Sequence, residues 1–353
     1  MRKLSCLVVA LAAALAASAC APPPVPQART GSGAPAEAPR QAAAQPAASG
    51  LTPVRFGWGK QVSDAGYFLL PELGKKYGLD IDLVPFRRYP EALTALATGE
   101  VELSHVGYPQ ISFILEQGIR NAKVIAGQVD GGTNLTMHND VPVAEWTDLL
   151  GKKIGIFPGG PGDLNFRSSL GRHNLDVSRV EVVKLTAPGP QLYQALKTRE
   201  IDGFVAWEPF QATPYVEGYA YYAPLDIMDN PTRGVNGVIA VNTDWAAKNP
   251  DTVVKFLQAV LDGQRHMLEN KDEWAQVTAE QLGIPIEVTR ESIKHFDLPP
   301  NLELHQREAQ EMSRLMKEYA MAQKDWSAEI PTVLDYSYLE RASGKPASEL
   351  GKD

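Results

Sequence analysis

The stretch PEALTALATGEVE, Pro90 to Glu102, returns one hundred positions later as PQLYQALKTREID, Pro190 to Asp202. Pro90/Pro190, Ala95/Ala195, Leu96/Leu196, Thr98/Thr198 and Glu100/Glu200 recur in register. The spacing of Leu93, Leu96 and Ala97 predicts a helix with one buried face. Each copy then passes through a tight turn and an acidic residue into a short apolar strand, Leu103 to Val106 and Phe204 to Ala206. Those strands run into Tyr108-Pro109 and Glu208-Pro209. Upstream, Val54 to Phe56 runs into Gly57-Trp58-Gly59, and Ile154 to Phe157 runs into Pro158 to Gly162. Strands alternating with helices in two similar units predict two α/β lobes built on parallel sheets.

Two lobes joined by two crossovers leave a cleft between them. The expected division is lobe 1 over 51–140 plus 238–330, lobe 2 over 141–237, and a C-terminal tail over 331–353. The crossovers are expected near Asn139 to Val143 and near Arg233 to Val238, with Ile239-Ala240-Val241 as a strand back in the first lobe. The later part reads as helical. Asn249-Pro250 starts a helix with Val253, Leu257, Val260 and Leu261 on one face, and Met312, Leu315, Met316 and Tyr319 line another. In open α/β sheets ligands sit outside the carboxyl ends of the strands. That rule selects Trp58, Gly59, Tyr108, Gly160, Gly162, Asp163, Trp207 and Glu208, with Tyr67 and Asn134 beside them, as the expected ligand-binding residues. Asp163 has a second reading, as the N-cap of a helix beginning near Leu164.

The N-terminus carries Arg2 and Lys3, then an almost wholly apolar run from Leu7 to Ala17, the pattern of a signal peptide over 1–19. That run is too short to span a bilayer. Ala17-Ser18-Ala19-Cys20 has the form of a lipoprotein cleavage site with Cys20 as the lipid attachment residue. Of the two cysteines, Cys6 lies in the signal, so Cys20 has no partner for an internal disulfide. The Pro-, Ala- and Gly-rich segment 20–50 cannot bury enough surface to order itself and reads as a tether. The expected location is therefore the periplasm or cell surface. The net charge of −8 and the lack of a basic cluster speak against nucleic acid. The six histidines have no metal-ligand spacing. His105 reads as a satisfied core histidine. No catalytic constellation is expected, and neither a metal nor a cofactor.

Several stretches together resemble the solute-binding proteins of ABC importers for nitrate, sulfonates, bicarbonate and thiamine pyrimidine precursors. They are Ala92 to Glu102, the Gly107-x-Pro109 that follows, Gly151 to Gly155, Ile201 to Pro209, and Asn249-Pro250-Asp251 with its helix. The resemblance covers most of Leu51 to about Gln323. It implies a bilobed periplasmic-binding-protein fold of type II and, as partners, an ABC permease and its ATPase. The chain is expected to work as a monomer, anchored to the membrane by its lipid.

The family's sulfonate binders carry Ser or Thr hydroxyls where this chain has Tyr108-Pro109 and the Gly159 to Asp163 loop. The four rings Trp58, Tyr67, Tyr108 and Trp207 suit a flat or cationic ligand, and Asp163 opposes an anion. The expectation is a small organic solute, neutral or weakly cationic, with a heteroaromatic as one form it could take. The alternatives are an anion binder of the same importer class, or a ligand-sensing module for a membrane receptor.

Overall fold

The computed structural model describes residues 50–352. The expected signal peptide, Cys20 and all but the last residue of the tether lie outside them. No helix among the described residues is long and apolar enough to cross a membrane.

The chain opens with β1 (Thr52–Trp58), α1 (Ala65–Phe68), α2 (Leu70–Lys76), β2 (Leu79–Pro85), α3 (Tyr89–Thr98), β3 (Leu103–Gly107), α4 (Pro109–Glu116) and β4 (Ala122–Gly131). A second series follows: β5 (Thr133–His138), β6 (Lys153–Ile156), α5 (Pro161–Arg172), β7 (Glu181–Lys184), α6 (Pro190–Lys197), β8 (Gly203–Trp207), α7 (Ala212–Val216) and β9 (Ala220–Tyr222). The return brings β10 (Val235–Asn242), α8 (Thr243–Ala246), α9 (Pro250–Glu269), α10 (Lys271–Leu282), α11 (Ile286–Ser292), β11 (Phe296–Asp297), α12 (Gln306–Glu318) and α13 (Ser337–Ser343). Two sheets result, in the orders β11-β4-β10-β3-β1-β2 and β7-β6-β8-β5-β9.

The repeat read from the sequence is the structural unit of each lobe. Both α3 and α6 carry their proline within the first two residues, where a missing N–H costs nothing. Both end in a left-handed residue, Gly99 (φ 75°) and Arg199 (φ 63°). Thr98 and Thr198 each donate their hydroxyl to the carbonyl four residues back. The repeated acid then closes the unit. Glu102 accepts the backbone N–H of Arg55 at 2.6 Å, and Asp202 accepts that of Lys153 at 2.9 Å. Each acid thus ties the end of its repeat back to the parallel strand that precedes it, β1 or β6.

The two expected parallel-sheet lobes are present, and each sheet is mixed. β1 pairs in parallel with β2 and β3, and β6 with β7 and β8. However, β10 runs antiparallel between β3 and β4, and β5 runs antiparallel to β8 and β9. These are the strands that enter each sheet from a crossover and so arrive from the opposite end. The first crossover also falls earlier than expected, at Gly131-Gly132, so β5 belongs to the second sheet. Both glycines are left-handed, at φ 73° and 70°. A Cβ on Gly131 would lie 2.7 Å from the His295 carbonyl oxygen, and one on Gly132 would strike the Phe296 ring. The return runs from after Tyr222 to Val235, longer and earlier than Arg233 to Val238.

The largest core packs α3, α9 and α12 against the first sheet. Val253, Leu257, Val260 and Leu261 of α9 and Met312, Leu315 and Met316 of α12 are buried in it, as their spacing predicted. The expected tail is part of this core: Tyr336, Leu339 and Leu350 are buried in it. Leu334 bridges to Val124 on β4. The second lobe has its own core of Leu135, Ile154, Phe166, Leu170 and Val205.

Candidate functional site

The equivalent parallel strands β1 and β6 end in loops built alike. After β1, the Gly59 N–H donates to Asp64 Oδ2 at 3.2 Å. After β6, the Gly159 N–H donates to Asp163 Oδ2, also at 3.2 Å. Both carboxylates are buried. The Asp64 Oδ1 lies 3.2 Å from His105 Nδ1 on β3, and Asp163 Oδ1 accepts from Arg167 Nε at 2.5 Å. Asp163 is not the N-cap. Gly160 holds that place with extended backbone, and Asp163 lies in the first turn with its carboxylate reaching back to the loop. There it complements the positive end of the helix. Gly162 is closely approached: a Cβ there would lie 3.1 Å from Thr133 Cγ2 and 3.2 Å from Val205 Cγ1.

Around Asp64 the first lobe gathers polar groups the sequence did not select. The His105 ring meets Tyr67 and Tyr89 edge-on, with centroids at 5.7 and 5.4 Å. Gly107 and Gly237 face each other across β3 and β10. Lacking Cβ atoms, they let Gln110 and Tyr89 lie over one and His105 and Gln128 over the other. The Gln128 side chain is oriented by its Nε2 bond to the Ser63 carbonyl. Trp58 Nε1, Tyr67 Oη, His105 Nε2 and Gln128 Oε1 are buried and have no hydrogen-bond partner among the described residues. Buried polar atoms are almost always partnered, so His105 is not the satisfied core histidine its strand position suggested. The set is mixed: the indole and phenol can donate, and the amide oxygen can only accept.

The remaining expected residues divide. Trp207 is half-buried at the end of β8, with Phe157 and Phe210 edge-on to it at 5.0 and 5.5 Å. Asn134 lies beside it on β5. Its N–H donates to Gln211 Oε1 at 2.8 Å, and its Nδ2 is buried without a partner among the described residues. Glu208 is wholly buried and bonded to Tyr222, Ala212 and Ser292. Tyr67 meets Phe56 edge-on in the core at 4.8 Å, with the His105 ring on another side at 5.7 Å. Tyr108 leaves the set. Its hydroxyl accepts the His305 N–H at 3.1 Å, beneath the start of α12, and burial drives its pKa well above the usual phenol value. Three of the four rings are therefore walls of the core, and Trp207 alone keeps appreciable exposure.

A cavity of about 390 Å³ lies at the crossovers, between Asp130, Arg233, His295, Phe296, His305 and Glu308. It holds none of the ten expected residues. Its walls come from the edge strand β11, the end of β4 and the start of α12, not from the carboxyl ends of β1, β3, β6 and β8. The strand-end region is the better candidate for the solute site on topological grounds. Asp64 was the most legible omission, since it follows Gly59 by five residues as Asp163 follows Gly159 by four.

Comparison with known proteins agrees with this architecture. A binding protein of Brucella abortus is 25% identical over 66% of this chain and 72% of its own length. The taurine-binding periplasmic protein of Escherichia coli is 23% identical over 57% of this chain and 61% of its own. Among solved structures, the aliphatic sulphonate binding protein SsuA of Escherichia coli superposes with a TM-score of 0.69 at 16% identity, covering 83% of this chain and 99% of SsuA. The nitrate-binding protein NrtA of Synechocystis gives 0.68 at 18%, covering 85% and 91%. At such identities the structures show a shared bilobed fold, and the named sequence relatives are binding proteins rather than enzymes. The profile of the NMT1-like family matches residues 47–283, and the chain belongs to that family.

Proposed function

We propose that this chain is an extracytoplasmic solute-binding protein that delivers a small organic molecule, neutral or weakly cationic, to an ABC permease and its ATPase. The observation that carries the ligand class is the pair of filled loops. An oxyanion site needs free N–H donors at a helix start, and here the Gly59 and Gly159 amides already serve the buried Asp64 and Asp163 carboxylates. The unpartnered Trp58 Nε1, Tyr67 Oη, His105 Nε2 and Gln128 Oε1 suit a solute that offers donors as well as acceptors. Gly59, Asn134, Gly160, Gly162, Asp163 and Trp207 would frame it from both lobes. A heteroaromatic ligand now rests on Trp207 alone among the rings. A solute touching both lobes favours the closed arrangement by its differential affinity for it, with the two crossovers absorbing the motion.

The relatives support a second reading, an anion binder of the same importer class, because they are named for nitrate and taurine. Thermal unfolding of the protein against sulfonates, nitrate, bicarbonate, pyrimidines, purines and quaternary amines separates the two. A ligand at about 100 times its dissociation constant adds about 2.7 kcal/mol. Stabilisation by an amine or amino-substituted heterocycle supports the first reading. Stabilisation confined to oxyanions overturns it in favour of the second. Export with a lipid on Cys20 belongs to the same proposal. Mass spectrometry of the mature N-terminus tests it, and an unmodified Cys20 would remove the anchor.

A further inference from the structure

Glu208 follows β8 directly, at the edge of the first crossover: its N–H donates to the Gly132 carbonyl at 3.1 Å. The side chain is wholly buried. Oε1 accepts the Tyr222 hydroxyl of β9 at 2.7 Å, and Oε2 accepts the Ala212 N–H of α7 at 3.0 Å and the Ser292 hydroxyl of α11 at 3.1 Å. The first two partners belong to the second lobe. Ser292 does not. It ends α11, which packs on α10 on one side and on α7 of the second lobe on the other, and the chain continues through His295 into β11 on the first sheet. The Glu208–Ser292 bond thus joins the two lobes.

Ser292 has one hydroxyl proton and two acceptors, since its Oγ also lies 2.8 Å from the Val288 carbonyl. With Glu208 ionised, that proton can serve Glu208 or Val288, not both. With Glu208 protonated on Oε2, the carboxyl proton goes to Ser292 Oγ and the Ser292 proton goes to Val288. Tyr222 and Ala212 still donate to Oε1 and to the remaining lone pair of Oε2. Every partner is then satisfied.

The surroundings favour the same state. Burial pushes the Glu208 carboxyl up to about 7, and Glu291 on α11 pushes in the same direction. The Lys294 ammonium is bonded to Glu291 at 2.6 Å. His295, whose ring lies 4.2 Å from that of Tyr222, has its pKa lowered by burial and is 3.5 Å from Glu291. Tyr193 of α6 and Tyr215 of α7 complete the titratable groups near this carboxyl and its Tyr222 partner. Among the described residues, none of the hydrogen-bond partners of Glu208 is a cation.

We propose that Glu208 is a proton site coupling the lobes: a proton bound between Glu208 and Ser292 holds the second lobe to α11, and its loss loosens that contact. The sign follows from the direction of the shift. A carboxyl that binds its proton more tightly when folded favours the folded, joined form as pH falls through about 7, and the gain levels off near the ordinary value of 4.5. Raising the pH ionises Glu208 against low-dielectric surroundings and favours separating it from Ser292.

The test uses the full chain and needs no solute. Urea unfolding is measured at pH 5.5 and 8.5 for the wild type, Glu208→Gln and Ser292→Ala. Glutamine has the shape of the glutamate and no ionisable proton, so it removes the titration; its oxygen can still take the Ala212 N–H. Relative to Glu208→Gln, the wild-type folding equilibrium constant should fall about thirtyfold between the two pH values. Amide exchange, corrected for its intrinsic pH dependence, should quicken in α7 and α11 of the wild type at pH 8.5 and stay flat in Glu208→Gln. Equal pH dependence in wild type and Glu208→Gln refutes the proton site. A pH-dependent wild type whose α7 and α11 exchange is unchanged, or is matched by Ser292→Ala, refutes the coupling.

Discussion

Replacing Asp163 by serine tests why this site should reject anions. In the native loop the carboxylate takes the Gly159 N–H at 3.2 Å and the Arg167 Nε at 2.5 Å. Serine is too short to hold either, so Asp163→Ser frees one amide, one guanidinium and the positive end of a twelve-residue helix together. Stability should fall. A hydrogen bond to a charged group contributes about 1.5–3 kcal/mol when buried. Arg167 keeps 21% of its side-chain exposure, so solvent screening brings the expected loss to about 1–2 kcal/mol. That corresponds to a melting point lower by a few degrees for a body of this size.

Anion affinity should move the other way. A helix N-terminus contributes about 0.3–1 kcal/mol, and up to about 2 when partly buried. A newly free guanidinium adds a charge-assisted contact. Together these give a gain of roughly tenfold in affinity for sulfate, nitrate or a short sulfonate. Titration by calorimetry at low ionic strength, wild type beside variant, reads both effects. A variant that binds these anions no better than the wild type would refute the reasoning. So would a wild type that already binds one at micromolar concentration, because the carboxylate would then not be what keeps anions out.

Other substitutions separate core from site. Tyr108→Phe removes only the acceptor for the His305 N–H and should cost about 1 kcal/mol in chemical denaturation while leaving solute affinity unchanged; a large loss of binding would return Tyr108 to the cleft. Trp207→Ala should weaken binding of the solute found in the screen by about 1–3 kcal/mol, the usual scale for a lost stacking contact, and an unchanged dissociation constant in calorimetry would make Trp207 a wall. Gly132→Ala meets both a left-handed backbone and the Phe296 ring. It should destabilise by more than about 2 kcal/mol in denaturant unfolding, and a near-neutral result would show that the crossover rearranges freely.

What the sequence made legible were the parts fixed by local rules. The repeat, its proline starts, its buried helix faces and the α9 and α12 stripes depend on residues within one turn or one strand of each other. The acid of the repeat was visible, but its task was not, because Glu102 reaches back to Arg55 and Asp202 to Lys153 across nearly fifty positions. The crossover was misplaced although Gly131-Gly132 marked it. The strand after it, Thr133 to His138, continues the extended pattern of β4, and nothing local says which sheet it joins. Tyr108 failed for a long-range reason: it stands at a strand's carboxyl end, where a ligand residue belongs, but residue 305 returns over it. Asp163 stands out in the sequence, and its pairing with Arg167 four residues on is an ordinary helical pairing legible from the spacing. Asp64, His105 and Gln128 meet only through the register of β3, β10 and β4.

The position of β10 bears on how the molecule is assembled in time. Every strand of the second sheet lies between residues 133 and 222, so that lobe has all its strands as soon as that stretch exists. The first sheet cannot do the same. Its β3 and β4 are never neighbours; β10 separates them, and β11 covers the far side of β4. A nascent or truncated chain ending before Val235 therefore holds a second lobe with every strand present beside a first lobe split in two. Its β3 and β4 expose edges that only the returning chain can pair. Such open edges invite association with other chains, and closing the sheet late makes it the slower of the two to form.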